Sequence, residues 1–352
     1  MILGILMTLL GLGLVIFVHE LGHLWAAKKA GVGVLEFSVG MGPKVLSRHI
    51  GGTLYALRVF PLGGFVKLAG MDPEETASDI PVTAHFQSRP MSGRMLTIVA
   101  GSLMNLAFGF LLFVCLFAAV GKSTVSPKLE GVLPGSPAAK AGLKAGDMVL
   151  QLNGKPIQDV SKDFIETLQG AAGPVLVHVL REETAFDVTL TPAQVDGRAQ
   201  IGVRFSVSSE RQPVTFVEAL DMGTSTTWGH ITMVFKTIGM LFSGKVSVKD
   251  MAGPVGIIQF ATAGLAHGFP QFVGIVAMIS ISLGVFNLFP FPVLDGGHLV
   301  LLIIEALRGK PLSEAITNRI QQFGTIVLIA LMILILFNDV SQWQARWQLL
   351  GQ

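Results

Sequence analysis

Hydrophobic positions along this chain fall into four long runs with very few charges, separated by segments of different texture. Ile2 to Ala27, Met95 to Val120, Phe272 to Leu294 (continuing toward Leu307) and Phe323 to Phe337 are each apolar enough to be read as membrane-spanning helices, the last needing flanking residues to reach full length. Between the first two runs the texture changes. Stretches such as Thr53-Leu54-Tyr55-Ala56-Leu57-Arg58-Val59, with Gly51-Gly52 and Gly63-Gly64 around them, predict short strands and hairpins over residues 31–70. Open strands cannot face lipid, so this β-hairpin region must shelter against the helices or line a wet cavity. The polar, acidic residues that follow Met71 make 71–94 a surface connection. Between the second and third runs, residues 126–206 form the one compact polar block long enough to be a domain. In the stretch 207–271, the run Trp228 to Leu241 carries His230 and Lys236, and is read as an amphipathic helix on the outer membrane surface.

Composition sets this pattern in a bilayer. Hydrophobic residues make up 51% of the chain and charged residues 14%, with a mean hydropathy of +0.63, which excludes an ordinary soluble enzyme. A net charge of +2 gives no reason to expect a nucleic-acid partner. Cys115 is the single cysteine and lies in an apolar run, so disulfides and cysteine metal sites are out of reach, and packing is its expected role. The N-terminal run lacks a basic region before it, unlike a signal peptide, and is expected to be retained.

Residues 28–94 hold eight basic side chains (Lys28, Lys29, Lys44, Arg48, Arg58, Lys67, Arg89 and Arg94). Arg308, Lys310 and Arg319 lie in the connection 308–322, whereas the tail 339–352 has only Arg346. The positive-inside rule then puts both connections in the cytoplasm and both termini outside.

The chemistry sits at the end of the first run, where His19-Glu20-Leu21-Gly22-His23 reads H-E-x-x-H. Helix positions four apart share a face, so both imidazoles can reach one zinc ion while Glu20 stands beside them to activate water. Ionisable groups in a spanning segment are disfavoured by roughly 2.5 to 3.5 kcal/mol each, so their presence marks function more often than packing. At 1.5 Å per residue these histidines come about 27 to 33 Å along the helix, near its cytoplasmic end. The third run crosses in the same sense and finishes at Val293-Leu294-Asp295-Gly296-Gly297, which brings Asp295 to the same depth as the histidines. A catalytic zinc takes three protein ligands and keeps one position open, and Asp295 is the candidate third ligand. A competing reading has Asp295 cap the helix that starts near Gly296. His298 is left out of the ligand set, since a fourth protein ligand would displace the water.

In the polar block, Val132-Leu133-Pro134-Gly135-Ser136-Pro137-Ala138-Ala139, then Ala141-Gly142-Leu143-Lys144-Ala145-Gly146-Asp147, then Val149 to Gly154 read as strand, small-residue helix, glycine turn, strand and Asn-Gly turn. The whole resembles a bacterial PDZ domain. Such domains bind extended peptides or C-termini along a sheet edge, and Ile201-Gly202-Val203 is the candidate strand and loop, with Ile201 and Gly202 as substrate-binding positions.

With H-E-x-x-H in the first run, Asn287-x-x-Pro-x-Pro-x-Leu-Asp295-Gly in the third and a PDZ domain between them, the chain resembles the site-2 protease family of intramembrane zinc metalloproteases. The bacterial branch that cleaves membrane-bound anti-sigma factors is the most similar. Phe86, Arg89, Ala100-Gly101 and Asn105 extend the resemblance, while Gly101-Ser102 stands where Gly-Pro is usual and one PDZ domain where two are frequent. The resemblance implies a polytopic α-helical membrane protein of about four transmembrane helices, with a membrane-associated β-hairpin region and an inserted α+β PDZ domain. It also implies Zn2+ held by His19, His23 and Asp295, Glu20 as the catalytic base, and Asn287 holding substrate or stabilising the oxyanion. Single-pass membrane proteins, such as trimmed anti-sigma factors or signal-peptide remnants, would be the substrates. The PDZ domain would face outward from the bacterial inner membrane, with the active site near the cytoplasmic face.

Two other readings stay open on the residues alone. One is a membrane metalloprotease of another family that acts on soluble or lipidated peptides, with a Glu as third ligand. The other is a PDZ membrane scaffold with no catalysis.

Overall fold

The computed structural model describes residues 2–71, 80–157, 160–171, 173–195, 198–245 and 253–343. The acidic part of the first connection (72–79), part of the 207–271 stretch (246–252) and most of the C-terminal tail (344–352) lie outside the described residues. The chain divides into two compact units, residues 118–216 and the remainder.

In the larger unit, helix α1 (Ile2–Lys29) runs into a two-strand element, β1 (Val34–Ile50) and β2 (Thr53–Leu68). Both strands bend. Glu36 pairs with Lys67 and with Leu54, and Val39 pairs with Gly64 and with Leu57, while Arg48 pairs with Tyr55. The lateral order is therefore 64–68, 34–39, 54–57, 44–50, a four-stranded antiparallel layer made from two strands. Gly40 and Gly63 sit at the bends with φ of 87° and 95°, backbone that a side chain would strain. The inner half of the layer packs Val34, Phe37 and Leu68 with Leu24 and Ala27 of α1, whereas Val45, Leu46, Ile50 and Phe60 of the outer half are exposed.

Helix α2 (Met91–Val120) follows directly after Pro90. Arg94 in its first turn is buried at 8% exposure, a costly place for a guanidinium unless it is paired. Nη1 and Nη2 donate to Oε1 and Oε2 of Glu305 at 2.6 and 3.0 Å, the bidentate geometry that compensates it.

The smaller unit carries β3 (Lys122–Val132), α3 (Pro137–Lys140), β4 (Met148–Leu152), β5 (Lys155–Pro156), a π-helical turn (Val160–Phe164) leading into α4 (Ile165–Gln169), β6 (Val175–Arg181), β7 (Thr184–Leu190), β8 (Ala193–Val195), β9 (Arg198–Gln200) and β10 (Val203–Gln212). Its main sheet runs β10-β3-β4-β6-β7, so β10 lies on an edge. Alternate residues Val175, Val177 and Val179 of β6 point into a core with Leu129, Leu152 and Phe164. Asp147 is fully buried there. Burial pushes its carboxyl up, but the Arg181 guanidinium at 2.7 Å and the Lys144 N–H override this and hold it below the ordinary range.

The chain then forms α5 (Phe216–Phe242), α6 (Pro254–Ala266), α7 (Phe269–Asn287), α8 (Asp295–Arg308) and α9 (Glu314–Ser341). By length and composition α1, α2, α7 and α9 can cross a membrane, four among the described residues. Glycines let these helices approach closely: a Cβ on Gly11 would lie 3.1 Å from Phe272 and Val276 of α7, and one on Gly4 would lie 2.8 Å from Thr262 of α6. Asp339 of α9 is fully buried and accepts hydrogen bonds from the backbone N–H groups of Gly253, Val255 and Gly256, closing the otherwise open first turn of α6.

The run Trp228 to Leu241 belongs to α5, whose Ile231, Val234 and Ile238 pack with Phe113 of α2 and Ile281 and Val285 of α7, while Trp228, Met233 and Phe235 stay exposed. His230 meets the Ser282 hydroxyl at 2.9 Å. Two expectations change. The third run, read as 272–307, is broken: α7 ends at Asn287, Pro290 and Pro292 lack the N–H that would continue it, and α8 begins at Asp295. Cys115 is exposed on α2 rather than packed.

Candidate metal centre

Helices α1 and α8, distant in sequence, meet near the C-terminal end of α1. His19 and His23 are one helical turn apart on α1, with ring centroids 4.8 Å apart and planes at 82°. Asp295, the first residue of α8, completes the group. The Nε2 atoms of the two histidines are 3.2 Å apart, and Oδ2 of Asp295 is 3.3 Å from His19 Nε2 and 3.4 Å from His23 Nε2. Donors about 2.0 to 2.1 Å from a tetrahedral zinc are about 3.3 to 3.4 Å from one another, so this nearly equilateral triangle has the size of three corners of such a site, with the fourth left open. Among the described residues this is the group of three or more such side chains close enough to share an ion, and it contains no Glu.

The surroundings hold the triangle in place. His23 Nδ1–H donates to the carbonyl of Thr97 at 2.8 Å, which leaves Nε2 as the ring's acceptor. The Ser102 hydroxyl donates to Oδ2 of Asp295 at 3.1 Å. Asp295 does not act as a side-chain cap: the N-cap of α8 is Leu294, and no side-chain hydrogen bond closes that end. The helix N-terminus nevertheless favours the anion. The loop 288–294 folds back over this end, and Gly296 and Gly297 admit the carbonyls of Leu288, Phe289 and Phe291 where a Cβ would collide. Val293 takes φ of 81°, a left-handed conformation that costs a β-branched residue about 1 to 3 kcal/mol and that the folded loop imposes two residues before the carboxylate.

Space at the site depends on Gly101, since a Cβ there would strike the His23 ring, while Gly22 faces the Ala100 carbonyl in the reciprocal close contact. Gly101→Val is therefore expected to push His23 out of the triangle and to lower the bound metal per chain well below that of the parent protein, measured by atomic emission on purified protein. Undiminished metal would show that His23 does not need its present position.

Glu20 lies against the inner edge of the β-layer: Val66 N–H donates to its carboxylate, and a Cβ on Gly64 would be 3.1 Å from its Cγ. Asn287 is the last residue of α7, partly exposed. His298 stands outside the triangle and lines a cavity of about 910 Å3 together with Phe86, Arg94, Leu302, Glu305 and Gln321. Ile201 and Gly202 lie in the smaller unit. The Ile201 side chain is in its core, and the two carbonyls accept from Ala138 N and Leu133 N, so a peptide at this turn would have to use other groups.

Sequence reasoning did not assign roles to Thr97, Ser102 or Val66. Ser102 offered a signal, being a polar residue inside an apolar run; Thr97 and Val66 act through backbone atoms, which carry no signal at all.

The model of peptidase family M50 matches residues 7–331. A protein of Clostridium acetobutylicum is 34% identical over 340 residues, covering 96% of this chain and 97% of its own length. Relatives in Nostoc sp. and Brucella suis are each 32% identical, covering 98% and 94% of this chain and 98% and 93% of their own lengths. All three are named, by inference, as zinc metalloproteases.

Proposed function

Since the chain belongs to peptidase family M50, we propose that it is a zinc endopeptidase that hydrolyses peptide bonds in or beside the membrane-spanning segment of single-pass proteins. The observation that carries this reading is the triangle of His19, His23 and Asp295 at the end of an apolar helix, with Glu20 next to it. Zinc, when bound, supplies a Lewis acid that polarises the scissile carbonyl and makes water acidic enough to attack near neutral pH.

The chain's own residues do the rest. His19, His23 and Asp295 are the ligands. Glu20 takes the proton from the attacking water and passes it to the departing amine, so that one C–N bond breaks as one C–O bond forms. Asn287 turns its amide N–H toward the oxygen on which charge develops. A substrate helix must first unwind, because its carbonyls are already hydrogen-bonded. Segment 64–68 suits the unwound chain: it is paired within the layer on one side only, to 34–39, and Glu20 meets it through Val66.

Four candidate spans and the family make a multi-pass membrane protein the natural setting. We place it in a bacterial inner membrane, with the metal near the cytoplasmic face and residues 126–206, read as a PDZ domain, on the outer side. There that domain would bind a peptide or C-terminus, or admit only substrates already trimmed; anti-sigma factors and signal-peptide remnants are the candidates.

Purified protein in detergent should carry about one zinc per chain. It should cleave a model single-pass substrate, lose that activity to a chelator and regain it with zinc. Cleavage that survives complete removal of metal would rule the proposal out.

A further inference from the structure

We propose that Asn105 is a positioning residue for the metal centre: its side-chain oxygen accepts the Nδ1–H of His19 and so holds that ring in the form that presents Nε2 to the metal. This rests on His19 being a ligand.

Asn105 is fully buried in the middle of α2, an expensive place for a primary amide. Its backbone carbonyl accepts from the Ser280 hydroxyl at 2.8 Å, which ties this turn of α2 to α7 but leaves the side chain unexplained. Two observations explain it together. The amide nitrogen lies 3.5 Å from Nδ1 of His19, and the oxygen of the same amide is buried with no hydrogen-bond partner.

A neutral imidazole that binds a metal through Nε2 carries its proton on Nδ1, so Nδ1 is then a donor. An NH2 group facing it would set donor against donor. A half-turn about the Asn105 side chain exchanges two atoms of nearly equal size and brings the unpartnered oxygen onto the ring N–H. His19 then has what His23 already has in the Thr97 carbonyl, an oxygen acceptor on the far side of the ring from the metal. The two acceptors come from α2, eight residues apart, one from the backbone and one from a side chain. Only the second can be mutated away.

The test compares Asn105→Leu, which keeps the volume and removes the acceptor, with Asn105→Asp, which keeps it. Zinc affinity of the full chain in detergent is read by competition with a chromophoric chelator, and ligand geometry by the visible spectrum of the cobalt-loaded protein. Asn105→Leu should bind zinc about 10 to 100 times more weakly and shift the cobalt bands. Asn105→Asp should restore both. If the leucine variant does not fold, Asn105→Ser, whose hydroxyl is too short to reach the ring, replaces it in the comparison. Parental zinc affinity without the acceptor, or the same loss with aspartate as with leucine, overturns the proposal. A His19→Ala protein that binds zinc as tightly as the parent would instead overturn the ligand assignment beneath it.

Discussion

Asp295→Ala is expected to leave a folded protein that no longer holds zinc. Asp295 supplies one corner of the triangle, and it is the corner that α1 cannot provide. With it gone, two imidazoles on adjacent turns of one helix remain. Loss of a hydrogen-bond partner behind a ligand costs about 10 to 100 fold in metal affinity, and loss of the ligand itself should exceed that, so affinity should fall by more than about 100 fold. The fold should survive, because the side chain does not cap α8: Leu294 is the N-cap, and the turn is held by Gly297 N–H and His298 N–H donating to the Leu294 carbonyl at 3.0 and 3.2 Å. Metal analysis, cleavage of a single-pass substrate and a thermal melt read the three consequences separately. A variant that keeps tight, stoichiometric zinc would remove Asp295 from the ligand set and favour a centre completed by a different carboxylate.

Glu20→Gln should do the opposite, keeping the metal and losing the chemistry. Glu20 is not one of the three donors, and a glutamine oxygen can still accept from Val66 N–H, so zinc content and stability should match the parent protein. An amide cannot take a proton from water at neutral pH. General acid–base catalysis contributes about 10^2 to 10^4 fold, and the cleavage rate should drop by that order, in kcat. Asn287→Ala offers no such clean separation, since the role proposed for it includes holding the substrate. Biological activity unchanged by Glu20→Gln, in a protein with normal zinc, would turn the interpretation toward a scaffold.

The parts of this molecule that depend on near neighbours in sequence were legible before any fold was known. Hydropathy is a sum over adjacent residues, and the four apolar runs correspond to α1, α2, α7 and α9, with α7 stopping at Asn287 short of its run's end. The H-E-x-x-H spacing placed both imidazoles on one face because a helix repeats every 3.6 residues, and the observed rings lie 4.8 Å apart. Other features depend on contacts that no local window contains. The break between α7 and α8 has a local cause in Pro290 and Pro292, and α8 begins at Asp295, close to the Gly296 expected, but the folding of the Leu288, Phe289 and Phe291 carbonyls onto Gly296 and Gly297 is visible only in the fold. The partner of His230 on α5 is Ser282, 52 residues later.

The amino-acid sequence alone pointed to the kind of chemistry and its setting: nitrogen and carboxylate donors on apolar helices, where an ionisable group is costly without a partner. Tertiary structure alone decided that Asp295 closes the triangle, that Gly101 makes room for the His23 ring, and that Thr97, Ser102 and Val66 orient the working side chains. The physical reason is one of range. Helix formation and burial follow from neighbours a few residues apart, whereas a metal site needs donors within tenths of an ångström of fixed positions, and only the packing of whole helices against each other sets distances that finely.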